Sequence, residues 1–140
     1  TWILMGDLLL LGSVPLILGA VQLFGTESLH ILFSFNSGET TLHGLFAHWT
    51  VHFSSGLLLE NLLGYGVIAV SGYGLASLSD ERRWFRFSFV TIFLVVPALS
   101  TVVSSVAFTA LEPGFSYTAR GVSAPVAGLL GLFYVLYLVF

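Results

Sequence analysis

The chain has 140 residues, of which 56% are apolar and 8% charged, whereas an ordinary soluble domain is about 45–50% apolar and about 25% charged. This composition excludes a water-soluble globular fold and is typical of an integral membrane protein. Four arginines, no lysine and a formal net charge of −3 cannot neutralise a phosphate backbone, so nucleic-acid binding is excluded as well. The absence of cysteine excludes disulfides and thiolate metal sites.

The first apolar segment, 2–24, predicts a membrane-spanning helix. Asp7 interrupts it near its start and Pro15 lies in its middle. Because proline lacks a backbone N–H and its ring crowds the preceding turn, we expect a kink at Pro15.

The next segment, 25–56, is of mixed composition and carries all four histidines of the chain together with many aromatic residues. We predict a long amphipathic loop that lies at the membrane interface, with its aromatic side chains at headgroup level. His48 and His52 are four residues apart and share one face of a helix, so with His43 they form a hypothetical three-nitrogen zinc site. No acidic residue follows in the H-E-x-x-H manner, so interfacial histidines are the favoured interpretation and no metal or cofactor is predicted.

Three further apolar segments predict spans at 57–76, 85–108 and 123–140. The last covers about 27 Å at about 1.5 Å per residue, which is just enough to cross a bilayer. The sequence therefore predicts one all-α membrane domain over 1–140, a polytopic bundle of four transmembrane helices.

Basic residues predict the orientation of this bundle. The short turn at 77–84 contains Arg82 and Arg83 and is followed by Arg86, so the positive-inside rule assigns it to the cytoplasm together with the N-terminus. The histidine-bearing loop then faces outside, and Ser123 lies just below the outer surface.

Two polar residues stand inside the second span. Glu60 and Asn61 are costly in hydrocarbon, so we expect both to face the bundle interior or a wet cavity. Adjacent residues point about 100° apart around a helix, so only one of them can face a given neighbour. The alternative for Asn61 is a structural hydrogen bond to another helix.

Ser123 opens the fourth span two residues before Pro125. Proline suits a first helical turn and serine the capping position before it, so a helix cap is one complete explanation of Ser123. The alternative is a nucleophile at a tightly approached helix end, which is favoured by Gly121 and by the small residues that follow. The small pairs Ala124 with Gly128, and Ala127 with Gly131, would let another helix pack closely.

The stretch from Gly121 through Ser123 and Ala124 to Gly131 resembles the G-x-S-G start of the serine-bearing helix of the rhomboid intramembrane proteases. The stretch 52–63, with Asn61, resembles the beginning of the second helix of that family. The resemblance implies Ser123 as nucleophile, Asn61 as oxyanion donor, and transmembrane helices of membrane-protein substrates as partners within the lipid bilayer.

The chain departs from the family pattern at three points. Leu57 stands where the family has an oxyanion histidine, and Ala124 stands where it has glycine. Loss of one oxyanion donor typically costs about 10²–10³ in turnover. The family's general base is a histidine two helices further on, whereas no histidine follows His52 here, so the base is unknown; it lies downstream if these residues are part of a six-helix protein.

Three functions are compatible with these residues. The first is a rhomboid-like serine protease that cleaves transmembrane helices. The second is a catalytically inactive relative that binds transmembrane segments, which Leu57 favours. The third is an unrelated small membrane protein, such as part of a transporter built around Glu60.

Overall fold

The computed structural model describes residues 2–112, 114 and 116–139, and for residues 2–4 only the backbone. Within these residues the chain is mostly helical, with six α-helices and one two-stranded sheet. The elements are α1 (Trp2–Phe24), α2 (Glu27–Phe33), β1 (Phe35–Asn36), α3 (Leu42–Ala47), a 3-10 turn (His48–Thr50), α4 (Ser55–Leu78), α5 (Arg82–Leu111), β2 (Thr118–Ala119) and α6 (Ser123–Val139).

Three helices are long and apolar enough to cross a membrane, namely Met5–Phe24 within α1, α4 and α5. Both α4 and α5 extend past the predicted spans at each end, because a helix continues into polar flanking residues. The described part of α6 has 17 residues, or about 26 Å, and falls short of the length of the other three. Phe140, the last residue of the predicted fourth span, lies outside the described residues.

Helix α1 continues through Pro15, and α4 compensates for the hydrogen bond that proline removes. Pro15 has no N–H to offer the carbonyl of Leu11, four residues earlier. The hydroxyl of Tyr65 on α4 donates to that carbonyl at 2.6 Å. This contact ties the middle of α1 to α4.

The predicted interfacial loop contains more structure than the sequence indicated. Helices α2 and α3 fill much of it, and the hydroxyls of Thr26 and Thr41 cap their first turns. Strand β1 pairs antiparallel with β2, so that Phe35 lies opposite Ala119. The segment before α6 is therefore fixed to the segment after α1.

The core of the bundle lies between α4, α5 and α6. Helix α6 contacts both of the others, and α1 packs against α4. Edge-to-face aromatic contacts join α4 to α5, with the centre of the Tyr65 ring 6.3 Å from that of Phe89 and 6.1 Å from that of Phe93. On each helix the buried residues form one stripe at helical spacing: Phe85, Phe89, Phe93, Pro97 and Thr101 on α5, and Pro125, Leu129, Leu132 and Leu136 on α6.

A charged cluster joins three helices at the end of the bundle opposite Ser123. Asp7 of α1 is 1% exposed and forms a salt bridge with Arg86 of α5. The Tyr73 hydroxyl of α4 donates to the same carboxylate at 2.6 Å. Asp7 thus stabilises the packing of α1 in the bundle, although from the sequence alone it was only an interruption of the first apolar segment.

Candidate functional site

Ser123 is the first helical residue of α6, not the residue that caps it. The Val122 carbonyl accepts the first intrahelical bond, from the Val126 N–H at 3.0 Å, so Val122 occupies the capping position. The Ser123 side chain is exposed and makes no hydrogen bond within the described residues. The capping role that the sequence suggested for Ser123 is therefore wrong, because the helix begins one residue earlier than a serine cap requires.

The backbone just before Ser123 is held by residues of the 3-10 turn and of the segment that follows it. Gly121 has φ +111, a conformation that favours glycine, and its N–H donates to the His48 carbonyl at 3.0 Å. The Val122 N–H donates to Nε2 of His52 at 3.3 Å. Two consecutive amides are thus fixed immediately before the serine.

Both ring nitrogens of the buried His48 form hydrogen bonds. Its Nδ1 lies 3.1 Å from the carbonyls of both Gly44 and Leu45, which can only accept, so Nδ1 carries the proton. The bare Nε2 then accepts from the Thr101 hydroxyl of α5 at 3.1 Å. Burial lowers the pKa of His48, although the two carbonyls act in the opposite direction.

His52 is 3% exposed and only one of its ring nitrogens is satisfied. Because Nε2 accepts from Val122, the neutral ring carries its proton on Nδ1, which has no partner among the described residues. Burial lowers the pKa of His52 and so favours this neutral form. The hypothetical zinc site is not formed, since within the described part of the chain no three metal-binding side chains cluster and both His48 nitrogens are engaged.

Ser123 lines a cavity of about 230 Å³. Its walls come from the 3-10 turn and the segment after it, from α5, from β2 with its flanking residues, and from the first turn of α6. They include Ser100, Thr101, Tyr117, Arg120, Ser123 and Ala124. An exposed hydroxyl at the edge of a partly polar cavity is accessible to a ligand or substrate.

Asn61 lies on the side of α4 that faces α6, but outside the walls of this cavity. One turn further along α4, a Cβ on Gly64 would lie 3.9 Å from Cγ1 of Val126, so this face of α4 packs on the start of α6. The Asn61 amide nitrogen is buried and has no hydrogen-bond partner in the described residues. It does not make the structural hydrogen bond considered from the sequence.

Glu60 and Leu57 both lie at the surface of the bundle. Glu60 is exposed, so of the two expected positions it does not take the bundle interior; the 100° between neighbouring residues turns it outward when Asn61 turns inward. Leu57 is 47% exposed and supplies no hydrogen-bond donor to the region of Ser123.

The small residues of α6 divide into two groups. A Cβ on Gly128 would lie 3.0 Å from Cγ2 of Ile92, so α5 approaches closely at this glycine, as the predicted small pair with Ala124 requires. The other pair, Ala127 and Gly131, is exposed, and a Cβ on Gly131 would meet nothing within 4 Å. No described helix uses that second pair.

The sequence did not reveal the role of the two buried histidines. Their spacing placed them on one face, but the partners of their Nε2 atoms are Thr101 and the Val122 backbone, more than fifty residues away in the chain. The one indication of their burial was local, because the residues between them are Trp49, Thr50 and Val51, a mostly apolar run for an interfacial loop.

Comparison with known proteins adds no assignment to this geometry, because no protein-family model, curated protein or solved structure matches the chain.

Proposed function

We propose that this protein is a rhomboid-like intramembrane serine protease that cleaves transmembrane segments, with Ser123 as the nucleophile. The observation that carries the proposal is the state of Ser123: an exposed hydroxyl free of any capping bond, on the wall of a cavity, directly after a backbone that two histidines hold in place. The proposal includes α6 as a fourth span and the Ser123 end of the bundle as the outer end.

The chemistry needs hydrogen-bond donors as well as a nucleophile. When the serine oxygen attacks a peptide carbonyl carbon, negative charge develops on the carbonyl oxygen. The N–H groups of Ser123 and Ala124 belong to the first turn of α6 and have no intrahelical acceptor. The Asn61 amide is a third donor, and its lack of a protein partner supports a role in holding that oxygen.

The proton acceptor for Ser123 is not identified. His52 lies nearby in the chain segment that contacts Val122, but its Nε2 lone pair already accepts the Val122 N–H. Its other nitrogen carries the ring proton and cannot act as a base in that tautomer. His52 is therefore assigned to holding the backbone, not to general-base catalysis.

A second function is binding of transmembrane segments without cleavage. It is favoured by Leu57, which removes one family donor, and by the position of Asn61 outside the cavity that Ser123 lines. Both functions require the same accessible site, and they differ in whether the Ser123 hydroxyl is reactive.

A serine-directed fluorophosphonate tests the reactivity of Ser123 directly. The full-length protein in lipid nanodiscs should become labelled, and Ser123→Ala should abolish both the label and the cleavage of a transmembrane substrate. Ser100→Ala is the matched control, because Ser100 lines the same cavity but its hydroxyl already donates to the Pro97 carbonyl at 3.0 Å, so labelling should persist. Asn61→Ala should leave slower but measurable cleavage, since the backbone donors remain. An unlabelled, non-cleaving parent protein would refute the protease function and favour the binding function.

A further inference from the structure

Among the described residues, Arg120 is the one arginine at the Ser123 end of the bundle. The other three arginines lie at the start of α5, and from Arg86 to Thr101 that helix extends about 22 Å. Arg120 follows β2 directly and precedes Gly121, so it belongs to the segment that is fixed before Ser123.

Two contacts hold the Arg120 guanidinium in one orientation. Its Nε donates to the Ser34 hydroxyl at 2.6 Å, and its Cζ lies 5.0 Å from the centre of the Phe53 ring. The described residues offer no carboxylate partner and no acceptor for its two terminal nitrogens. A planar guanidinium with both terminal groups free and its stem fixed is suited to bidentate binding of a carboxylate.

Arg120, like its neighbour Thr118, lines two cavities. It lines the Ser123 cavity of about 230 Å³, and it lines a second one of about 330 Å³, here named the loop cavity, whose wall also includes Ile31, Asn36, Glu39 and His43. A chain segment that occupies either cavity therefore lies beside Arg120.

We propose that Arg120 binds a carboxylate of the segment that occupies the Ser123 cavity, and so selects transmembrane partners with an acidic residue near the bound position. The proposal rests on the proposed function only in that a peptide segment enters this cavity. A cavity of about 230 Å³ is about 8 Å across. Because an extended chain advances about 3.3 Å per residue, the acidic residue lies within about three residues of the one at Ser123.

Glu39 provides a direct check on the charge argument. It lines the loop cavity with Arg120 but forms no ion pair with it in the described structure. Its carboxylate repels an incoming anion and competes for the same guanidinium. Removing that charge should strengthen binding of an acidic segment, whereas removing the charge of Arg120 should weaken it.

The test measures binding and needs no catalysis. Fluorescent single-span peptides carry Asp, Asn or Lys at one position, scanned through the four residues around the outer membrane boundary, and their Kd for the protein in nanodiscs of neutral lipid is measured by energy transfer. At the best position we expect the Asp peptide to bind about tenfold more tightly than the Asn peptide and the Lys peptide to bind most weakly. High salt should reduce the difference.

Variants of Arg120 and Glu39 then test whether these two charges cause the preference for Asp. Arg120→Gln should abolish the Asp-over-Asn preference while leaving the Kd of the Asn peptide unchanged, Arg120→Lys should retain part of it, and Glu39→Gln should increase it. Equal Kd values for Asp and Asn peptides on the parent protein would overturn the proposal, and this comparison does not depend on how any variant folds. A preference that persists in Arg120→Gln would overturn it too.

Two further results would also overturn it. If no peptide binds, the inference fails, while fluorophosphonate labelling of Ser123 remains a separate test of the proposed function. If Arg120→Gln changes peptide binding only in nanodiscs that contain anionic phosphatidylglycerol, and not in neutral ones, Arg120 binds a lipid headgroup instead of a peptide carboxylate.

Discussion

From the hydrogen bond between Tyr65 and Leu11 we predict how much the contact between α4 and α1 contributes to the free energy of unfolding. Pro15 leaves the Leu11 carbonyl without its helical donor, and the Tyr65 hydroxyl replaces that donor at 2.6 Å. Tyr65 lies one turn after Asn61 on α4, so this contact also fixes the position of that part of α4 along α1. The perturbation is Tyr65→Phe, which keeps the edge-to-face contact of the ring with Phe89 and removes only the hydroxyl.

The expected cost follows from what the hydroxyl does. Hydrogen bonds between transmembrane helices contribute about 0.6 kcal/mol on average and up to about 1.7. A buried acceptor left unsatisfied costs about 1–3 kcal/mol. Since Tyr65 is 4% exposed and water cannot easily replace its hydroxyl, we expect Tyr65→Phe to destabilise the protein by about 1.5 kcal/mol.

A double-mutant cycle tests the cause of this cost. Pro15→Ala gives residue 15 an N–H that can donate to Leu11, so in that background Tyr65→Phe should cost about 1 kcal/mol less. Tyr73→Phe is the control, because its hydroxyl donates to Asp7 and should cost the same in both backgrounds. Reversible unfolding in mixed micelles gives the four free energies. A Tyr65→Phe cost that is unchanged by Pro15→Ala would show that the hydroxyl does not serve the carbonyl that proline leaves free.

Four other outcomes are expected. A cysteine at Ser79 should be labelled only from the cytoplasmic side, and one at Pro113, which lies outside the described residues, only from the opposite side; the reverse pattern would invert the bundle. Asp7→Asn should lower the thermal midpoint in detergent, because it removes the charge that Arg86 of α5 binds. Since burial lowers the pKa of His52, the unfolded chain binds the proton more tightly, so stability should fall as the pH drops below about 6.5 and His52→Gln should flatten that dependence in pH-resolved melts. Gly128→Val should destabilise by about 1–3 kcal/mol in the same melts through overpacking against α5.

The long helices could be predicted from the sequence because a membrane span needs only one property, a continuous apolar run. That property located the segments that became α1, α4 and α5. It could not say which face of a helix turns inward, and Glu60 shows the consequence. With apolar residues on every side of α4, periodicity gives no direction, and the packing of α4 on its neighbouring helices decides that Asn61 turns inward.

The structure of the 25–56 segment could not be predicted for a different reason. Helices α2 and α3 have seven and six residues, which is too short to be stable alone. They depend on capping by threonine hydroxyls and on the pairing of Phe35 with Ala119, and that pairing joins residues 84 positions apart. The place of Ser123 at the start of a helix was predictable from its proline neighbour, whereas the contacts of Arg120 depend on Ser34 and Phe53 from the 25–56 segment.

The polar contacts around Ser123 favour a functional site at this helix start over a purely structural role. Polar groups near a membrane are costly unless they are paired. Here the carbonyl of His48 and the ring of His52 bind the amides of Gly121 and Val122, and β1 pairs with the residues just before them. All of these contacts fix the backbone, and none engages the Ser123 side chain. A helix start that only needed stability would gain from a bond to that hydroxyl, whereas a rigid backbone with an unengaged hydroxyl is what a nucleophile or a ligand contact requires.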